Sequence, residues 1–337
     1  MVAKGNRNKP RIKDVAEKSG VSTATVSHVI NGTRYVSDEV SEKVKAAMKE
    51  LNYTPNPIAR SLRSHQSYLV GLIIPVKNPA DMANLFFMAI AQGIESILTK
   101  NGYKLILCNS YEDIEVEKEH IQMFNAQLVD GLILAPSGED YRNLTEQYPV
   151  VFIDRKPKVY QGDCVLANNC QGAFEATEYL IKQGHKKIGF INGNGGLTTD
   201  RARLEGYQKA LLKHGIIYDK NYVKEDCVSV EHGYSLTKEL VEQKDVSAVF
   251  IANNILTMGA ISYFQECHIN IPDELAIIGF DDYEWTKIIN PPLSCVRQPA
   301  FEIGQKAAEV LLERIANNDA PSGEYLLDTS LIVRKSC

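Results

Sequence analysis

Two groups of side chains in this 337-residue chain are of types and spacings suited to recognising other molecules. The first lies in "VSTATVSHVINGT", residues 21 to 33. Thr23, Ala24, Ser27, His28 and Asn31 recur at i, i+1, i+4, i+5 and i+8 and so share one face of a helix, while Val26, Val29 and Ile30 occupy the other. Small hydroxyls, an amide and an imidazole on an exposed helix suit a DNA major groove about 12 Å wide, where they can bond base edges and phosphates. No acid interrupts the segment, and Lys9, Arg11, Lys13 and Arg34 surround it with positive charge. The second group is dispersed. Asp154 and Arg155 follow "PVVFI", Asn253 and Asn254 follow "VFIA", Asp281 and Asp282 follow "IIGF", and Arg201 and Arg203 come just after "GFINGNGGLTTD". Acids, amides and guanidinium groups gathered in one place suit a small ligand with many hydroxyls. Phe86 and Phe87, in "NLFFMAI", are either an aromatic wall for such a ligand or plain core. A lone Asp at a strand end has a competing use as a helix cap.

The first group needs a small helical scaffold. Ile12, Val15 and Ala16 mark a short helix, "SGV" at 19 to 21 a turn, and Ser22 an N-cap for the helix after it. A third helix opens at Ser37, carries Asp38 and Glu39 in its first turn, and repeats apolar residues at Val40, Val44, Ala47, Met48 and Leu51. The pattern predicts a helix-turn-helix unit; a generic trihelical bundle with a polar outer face has the same periodicity. After "LNYTPNP", Ile58 and Leu62 fall at i, i+4 with Ala59 beside them and Arg60 and Arg63 outward. A helix this short is marginal in water, so it is expected to fold against a second copy, DNA, or both. An apolar residue on a basic segment there suits a wedge between minor-groove base steps, the alternative being a plain linker.

The second group needs strand ends. "YLVGLIIP", "YKLILC", "VDGLILAP", "PVVFID", "KKIGFIN", "VSAVFIA" and "LAIIGFDD" are short apolar runs alternating with amphipathic helices, which predicts parallel sheets covered on both faces. Two successive sets of such units suggest two doubly wound subdomains with a cleft between them. Ligands of open parallel sheets bind beyond the carboxyl ends of the strands, where Asp154, Asn253 and Asp281 stand.

Charge supports this division. Residues 1 to 66 hold 12 Lys and Arg against 6 Asp and Glu, although the whole chain is at −5. A basic head on an acidic body implies that only the head meets a polyanion. Seven scattered cysteines without a C-x-x-C pair argue against a disulfide framework and a structural zinc site. No apolar run reaches the roughly 18 residues of a membrane span, and the basic start is not followed by a signal-peptide core, so a cytoplasmic protein is expected. Enzymatic chemistry finds no support. "GNGG" at 193 to 196 lies like a dinucleotide loop, but the third glycine of G-x-G-x-x-G is Thr198. No serine elbow, metal pair or phosphate loop is present. His185 reads as a helix-end residue. No cofactor, metal or catalytic residue is expected.

"IKDVAEKSGVSTATVSHVING" followed by "VSDEVSEKVKAAMKELNYTPNPIARSLRS" closely resembles the DNA-binding head and hinge of the LacI/GalR family of bacterial transcription regulators. "EYLIKQGHKKIGFING", "RLEGY", "IANN" and "IIGFDD" are similar to landmarks of that family's core. The resemblance implies a multidomain protein: an all-α helix-turn-helix head at 1–54, a hinge helix and linker at 55–68, and an α/β periplasmic-binding-protein-like type I core of two doubly wound subdomains at 69–337. It implies that Thr23, Ala24 and His28 contact operator bases, that Leu62 is the leucine inserted by paired hinges, and that Arg63 tunes specificity. Ser22, Thr25, Ser27, Asn31, Arg34 and Ala59 complete the expected DNA-contacting set. Arg203, Asn253 and Asp281 correspond to effector-contacting positions, with Asp154 and Phe87 frequent contributors; Phe86 and Arg155 join them in the expected effector site. Three departures stand out. Arg11 replaces a Thr that caps the first helix, Asn254 stands where Asp is usual, and Asn168-Asn169 replaces an Asp-Asn pair. The expected protein is a homodimeric repressor that binds double-stranded operator DNA under the control of a small effector, a sugar or sugar derivative. A phosphorylated carrier protein as the main input is the alternative.

Overall fold

The computed structural model describes residues 10–31, 34–54, 66–77, 83–127, 129–142, 148–160, 162–243, 245–317 and 321–337. They belong to two compact units, Met1–Ser67 and Tyr68–Cys337. In the first, helices α1 (Ile12–Ser19), α2 (Thr23–Asn31) and α3 (Asp38–Glu50) close over Val15, Ala16, Val26, Val44 and Ala47. Ser22 caps α2 as the sequence predicts, its Oγ accepting from the Thr25 N–H at 3.1 Å. Arg11 cannot cap α1 with its side chain, and Asp14 takes over: the Arg11 N–H donates to its carboxylate at 2.6 Å. Ser37 stands at the N-cap of α3 but makes no side-chain bond there, which leaves Asp38 and Glu39 to complement the helix dipole.

In the second unit, strands β1 (Leu69–Ile74), β2 (Lys104–Asn109), β3 (Gly131–Leu134), β5 (Val150–Ile153), β7 (Asp163–Ala167) and β13 (Glu324–Leu327) form one parallel sheet in the order β13-β7-β5-β3-β1-β2. A small ribbon pairs β4 (Asp140–Tyr141) with β6 (Val159–Tyr160) beside it. A second sheet runs β14-β12-β11-β10-β8-β9, from β8 (Ile188–Gly193), β9 (Val223–Asp226), β10 (Ala248–Ile251), β11 (Ala276–Phe280), β12 (Ser294–Arg297) and β14 (Ser330–Ile332), only β14 being antiparallel. Every residue of β3, β5, β8, β10 and β11 is buried, because helices cover both faces of each sheet. In the first lobe the covering helices are α4 (Ala83–Lys100) and α5 (Ile114–Gln127). In the second they are α6 (Asn169–Lys182) and α7 (Thr198–Lys213) on one face, α8 (Val230–Gln243) and α9 (Asn254–Glu266) on the other.

The lobes are not successive halves of the chain, as the order of apolar runs suggests. After β12 and the short α10 (Glu284–Ile288), which precedes it, the chain returns: α11 (Ala300–Ala316) packs into the first lobe's core and β13 extends its sheet, before β14 goes back. The reason is a close helix crossing. A Cβ on Gly304 of α11 would overlap the Ile90 carbonyl of α4, and one on Gly93 the Phe301 carbonyl, so only glycine lets the two backbones meet. The chain therefore passes between lobes three times, after β7, after β12 and after β13.

Candidate functional site

On α2, Thr23 and Ala24 are exposed together with Ser22, while Ser27 and His28 are half-buried on the same helix and Val26 is fully buried behind them. The Thr25 hydroxyl lies 2.9 Å from the exposed Ser22 Oγ at the helix start. Asn31 ends the helix and Arg34 is exposed beyond it. Ala59, Leu62 and Arg63 lie outside the described residues.

In the second unit, both sheets aim their carboxyl ends at one cavity of about 320 Å³, in the range of small-molecule sites. Phe86, Phe87, Asp154, Arg155, Arg203, Asn253 and Asp281, dispersed over nearly 200 positions of sequence, all line it. Asp154 and Asp281 occupy the left-handed region, at φ 63° and 70°, immediately after β5 and β11. That turn swings each carboxylate out of the sheet and into the cavity. Neither aspartate caps a helix; that role falls to Asn253, whose Oδ1 accepts from the Ile255 and Leu256 N–H groups at 2.9 and 3.3 Å, leaving its Nδ2 for the cavity. Phe86 and Phe87 are 8% and 4% exposed and belong to the core as well as to the cavity wall, so both readings of the pair hold.

Arg203 projects from α7, which begins at Thr198. Its Nε donates to Asn169 Oδ1 at 2.8 Å, its Nη1 to the Ala252 carbonyl at 2.7 Å, and its plane lies 3.8 Å over the Phe280 ring. Asn169 is thus the Arg203 holder, while Asn168, which stands where the family pattern has Asp, caps α6. Arg155 also lines the cavity and is paired with acids of this chain. Its Nη1 and Nη2 donate to Glu112 at 3.0 and 2.7 Å, and its Nε to Asp154 at 3.2 Å, so it lines the cavity already saturated by acids.

Burial raises the pKa of Asp154, against the pull of Arg155 and Arg203, and likewise that of Asp281, against Arg203 and the Gln298 amide. Burial also works against the charge of Arg155, but Glu112 and Asp154 more than offset it. The glycine loop after β8 carries its own anion: the N–H groups of Leu197 and Gly195 donate to Asp200, and a Cβ on Gly193 would lie 2.6 Å from that carboxylate. A loop filled by Asp200 has no room for a pyrophosphate, which accounts physically for the failed dinucleotide fingerprint.

The sequence reading missed Glu112, Gln298 and Asp200. Glu112 lies three residues beyond the end of β2, within reach of the strand-end rule; Gln298 follows β12, whose sequence Ser294–Arg297 holds only two apolar residues and so does not stand out as an apolar run. On the cavity rim, Asp226, Cys227 and His232 bring one donor atom each within 4.8 Å of one another, a grouping the cysteine pattern did not suggest.

The family model "Bacterial regulatory proteins, lacI family" matches residues 11–56, and "Periplasmic binding protein-like domain" matches 177–337. The chain is 35% identical over 331 residues to the HTH-type transcriptional repressor PurR of Vibrio atlanticus (strain LGP32), covering 96% of this chain and 98% of that one. It is 36% identical over 334 residues to the protein of the same name from Haemophilus influenzae (strain PittEE), with the same coverage. Among solved structures, the Lac repressor bound to ONPG in the repressed state superposes with a TM-score of 0.85 at 27% identity, covering 98% of this chain and all of that one. The transcriptional regulator CelR–cellobiose complex superposes at 0.74 with 30% identity, covering 97% and 100%.

Proposed function

This chain belongs to the LacI/GalR family of bacterial transcription regulators and is a DNA-binding transcriptional repressor, and from that premise we propose that a small polar effector, a sugar or sugar derivative, controls its operator affinity by binding the interlobe cavity. The observation that carries this is the convergence of Asp154, Arg203, Asn253 and Asp281 from four separate strand ends and helix starts on one cavity, with both aspartates in the left-handed turn that presents their carboxylates. A hydroxyl donates to Asp154 or Asp281 and accepts from Arg203 or Asn253, while the Phe86–Phe87 pair covers an apolar face. Cellobiose and ribose, the ligands named for two structural neighbours, are of this class.

Two heads of a homodimer occupy the half-sites of a pseudo-palindromic operator, with Thr23, Ala24 and His28 at base edges and Ser22, Ser27, Asn31 and Arg34 at base edges or backbone. Hinge segments at 55–68 meet at the dyad, where Leu62 wedges the minor groove beside Ala59 and Arg63. The linker enters the first lobe directly at β1, so rotation of that lobe about the three crossings, driven by closure on the effector, changes hinge spacing. The coupling this requires is about 1–3 kcal/mol. Titrating operator-bound protein with cellobiose, ribose and related sugars while following fluorescence anisotropy tests the proposal. A sugar that shifts operator affinity in the parent but not in Arg203→Ala or Asp281→Asn is expected; a response that survives both substitutions overturns the assignment of the cavity.

A further inference from the structure

The balance of charge and hydrogen-bonding capacity at the cavity distinguishes among ligands of the class just proposed, and this selectivity rests on that reading of the cavity. The charged residues that line it are Lys77, Arg155 and Arg203 against Glu112, Asp154, Asp200 and Asp281, an excess of acid. Of the two guanidinium groups, Arg155 already donates from all three nitrogens to carboxylates of this chain, and the bidentate pair to Glu112 has the fork geometry in which arginine otherwise receives a ligand phosphate or carboxylate. Among the described residues, two nitrogens of Arg203 are held, by Asn169 and the Ala252 carbonyl, and Nη2 has no partner. Lys77 is exposed at the rim. Unused capacity lies on the acceptor side. Asp281 receives one bond, on Oδ1 from Gln298 at 2.7 Å, and the buried Oε1 of that same Gln298 has no partner among the described residues. Asp154 receives one bond, on Oδ2. Tyr111 and Glu112 both lie in the left-handed region, at φ 56° and 62°, an unfavourable arrangement for two non-glycine residues in succession that brings the Glu112 carboxylate back over Arg155.

We infer that the cavity selects an uncharged ligand rich in hydrogen-bond donors, and that Glu112 is the specificity-determining residue that excludes anions, by filling the Arg155 fork with a carboxylate of the protein's own. A sugar phosphate or sugar acid entering the cavity meets Asp154 and Asp281 with no free guanidinium fork to offset them. An uncharged polyol donates to the open oxygens of Asp154, Asp281 and Gln298. Glu112 acts here through Arg155 and touches no ligand itself.

Sulfate and inorganic phosphate are the probes, titrated calorimetrically into the full chain at constant ionic strength held with chloride, for the parent, Glu112→Gln, and Glu112→Gln combined with Arg155→Met. The parent is expected to show no saturable anion site, Glu112→Gln to bind sulfate or phosphate at least about tenfold tighter than the parent, and the double variant to lose that gain. A saturable, Arg155-dependent anion site in the parent, or no gain in Glu112→Gln, overturns the inference. Should Glu112→Gln fail to fold, Glu112→Ala at this partly exposed position is read in the same way, and the parent titration alone still decides against the inference if it saturates. The effector reading fails separately: a repressor whose operator affinity ignores every sugar, yet whose Glu112→Gln variant gains sulfate, loses the effector assignment and keeps the anion block.

Discussion

Asp154 and Asp281 hold conformations that cost about 1 kcal/mol or more each, and burial makes their ionised forms unfavourable as well. Both carboxylates are thereby presented to the cavity at some cost to the fold. A ligand hydroxyl donating to either carboxylate relieves the desolvation, so Asp281→Asn, which keeps the shape and removes the charge, is expected to weaken effector binding by about 1.5–3 kcal/mol in a calorimetric titration. The same burial sets a pH dependence. Because the folded pKa of each aspartate lies above its unfolded value, near 3.9, ionisation destabilises the empty fold as pH rises through the folded value, and a bound donor offsets this. Effector affinity is therefore expected to fall as acidification carries the protein through the raised pKa values, beginning above the pH at which an ordinary aspartate protonates. The thermal shift given by effector at neutral pH should exceed that at mildly acid pH; equal shifts would place the ligand away from both carboxylates.

Between elements, the interlocking of helices decides which lobe a segment joins. Glu178 on α6 accepts from Lys182 on its own helix and from Lys213 and His214 at the end of α7, at 2.7, 2.8 and 2.9 Å. These bonds hold its pKa down to about 2. A depressed carboxylate contributes stability above its unfolded pKa that is lost as pH falls toward the folded value. Glu178→Ala is expected to destabilise the core by about 1 kcal/mol in urea unfolding at neutral pH and low salt, and by less as salt rises. This pin ties down the carboxyl end of α7, the helix whose opening turns carry the cavity-lining Arg203. The close crossing of α4 and α11 does comparable service in the first lobe, where Phe86 and Phe87 are held between core and cavity.

Over the molecule as a whole, a basic head is joined to an acidic core. Association of the core with DNA is opposed by its own charge, which leaves the helix-turn-helix head to meet the operator. Leu62→Ala is expected to weaken specific operator binding by about 1–3 kcal/mol while leaving non-specific DNA binding nearly unchanged, measured by anisotropy against operator and scrambled duplexes. Equal losses on both would remove the wedge. Among the described residues no helix is long and apolar enough to cross a membrane.

The three helices of the head were legible from residues alone, because periodicity, the Ser22 cap and the acid-free face of α2 are local properties written into adjacent positions. The strands and the strand-end residues Asp154, Asn253 and Asp281 were legible for a related reason: parallel sheets buried on both faces require uninterrupted apolar runs, and the residues just after each run stand at the sheet's carboxyl edge. Tertiary structure decided the rest. That α11 and β13 return to the first lobe depends on a backbone approach at Gly93 and Gly304 that no local pattern encodes. Whether Arg155 serves a ligand or the protein depends on Glu112, 43 positions earlier, reaching its guanidinium. Hydrogen-bond capacity is used up in space, and a residue's type states what it can bind while only its neighbours in the fold state what remains to be bound.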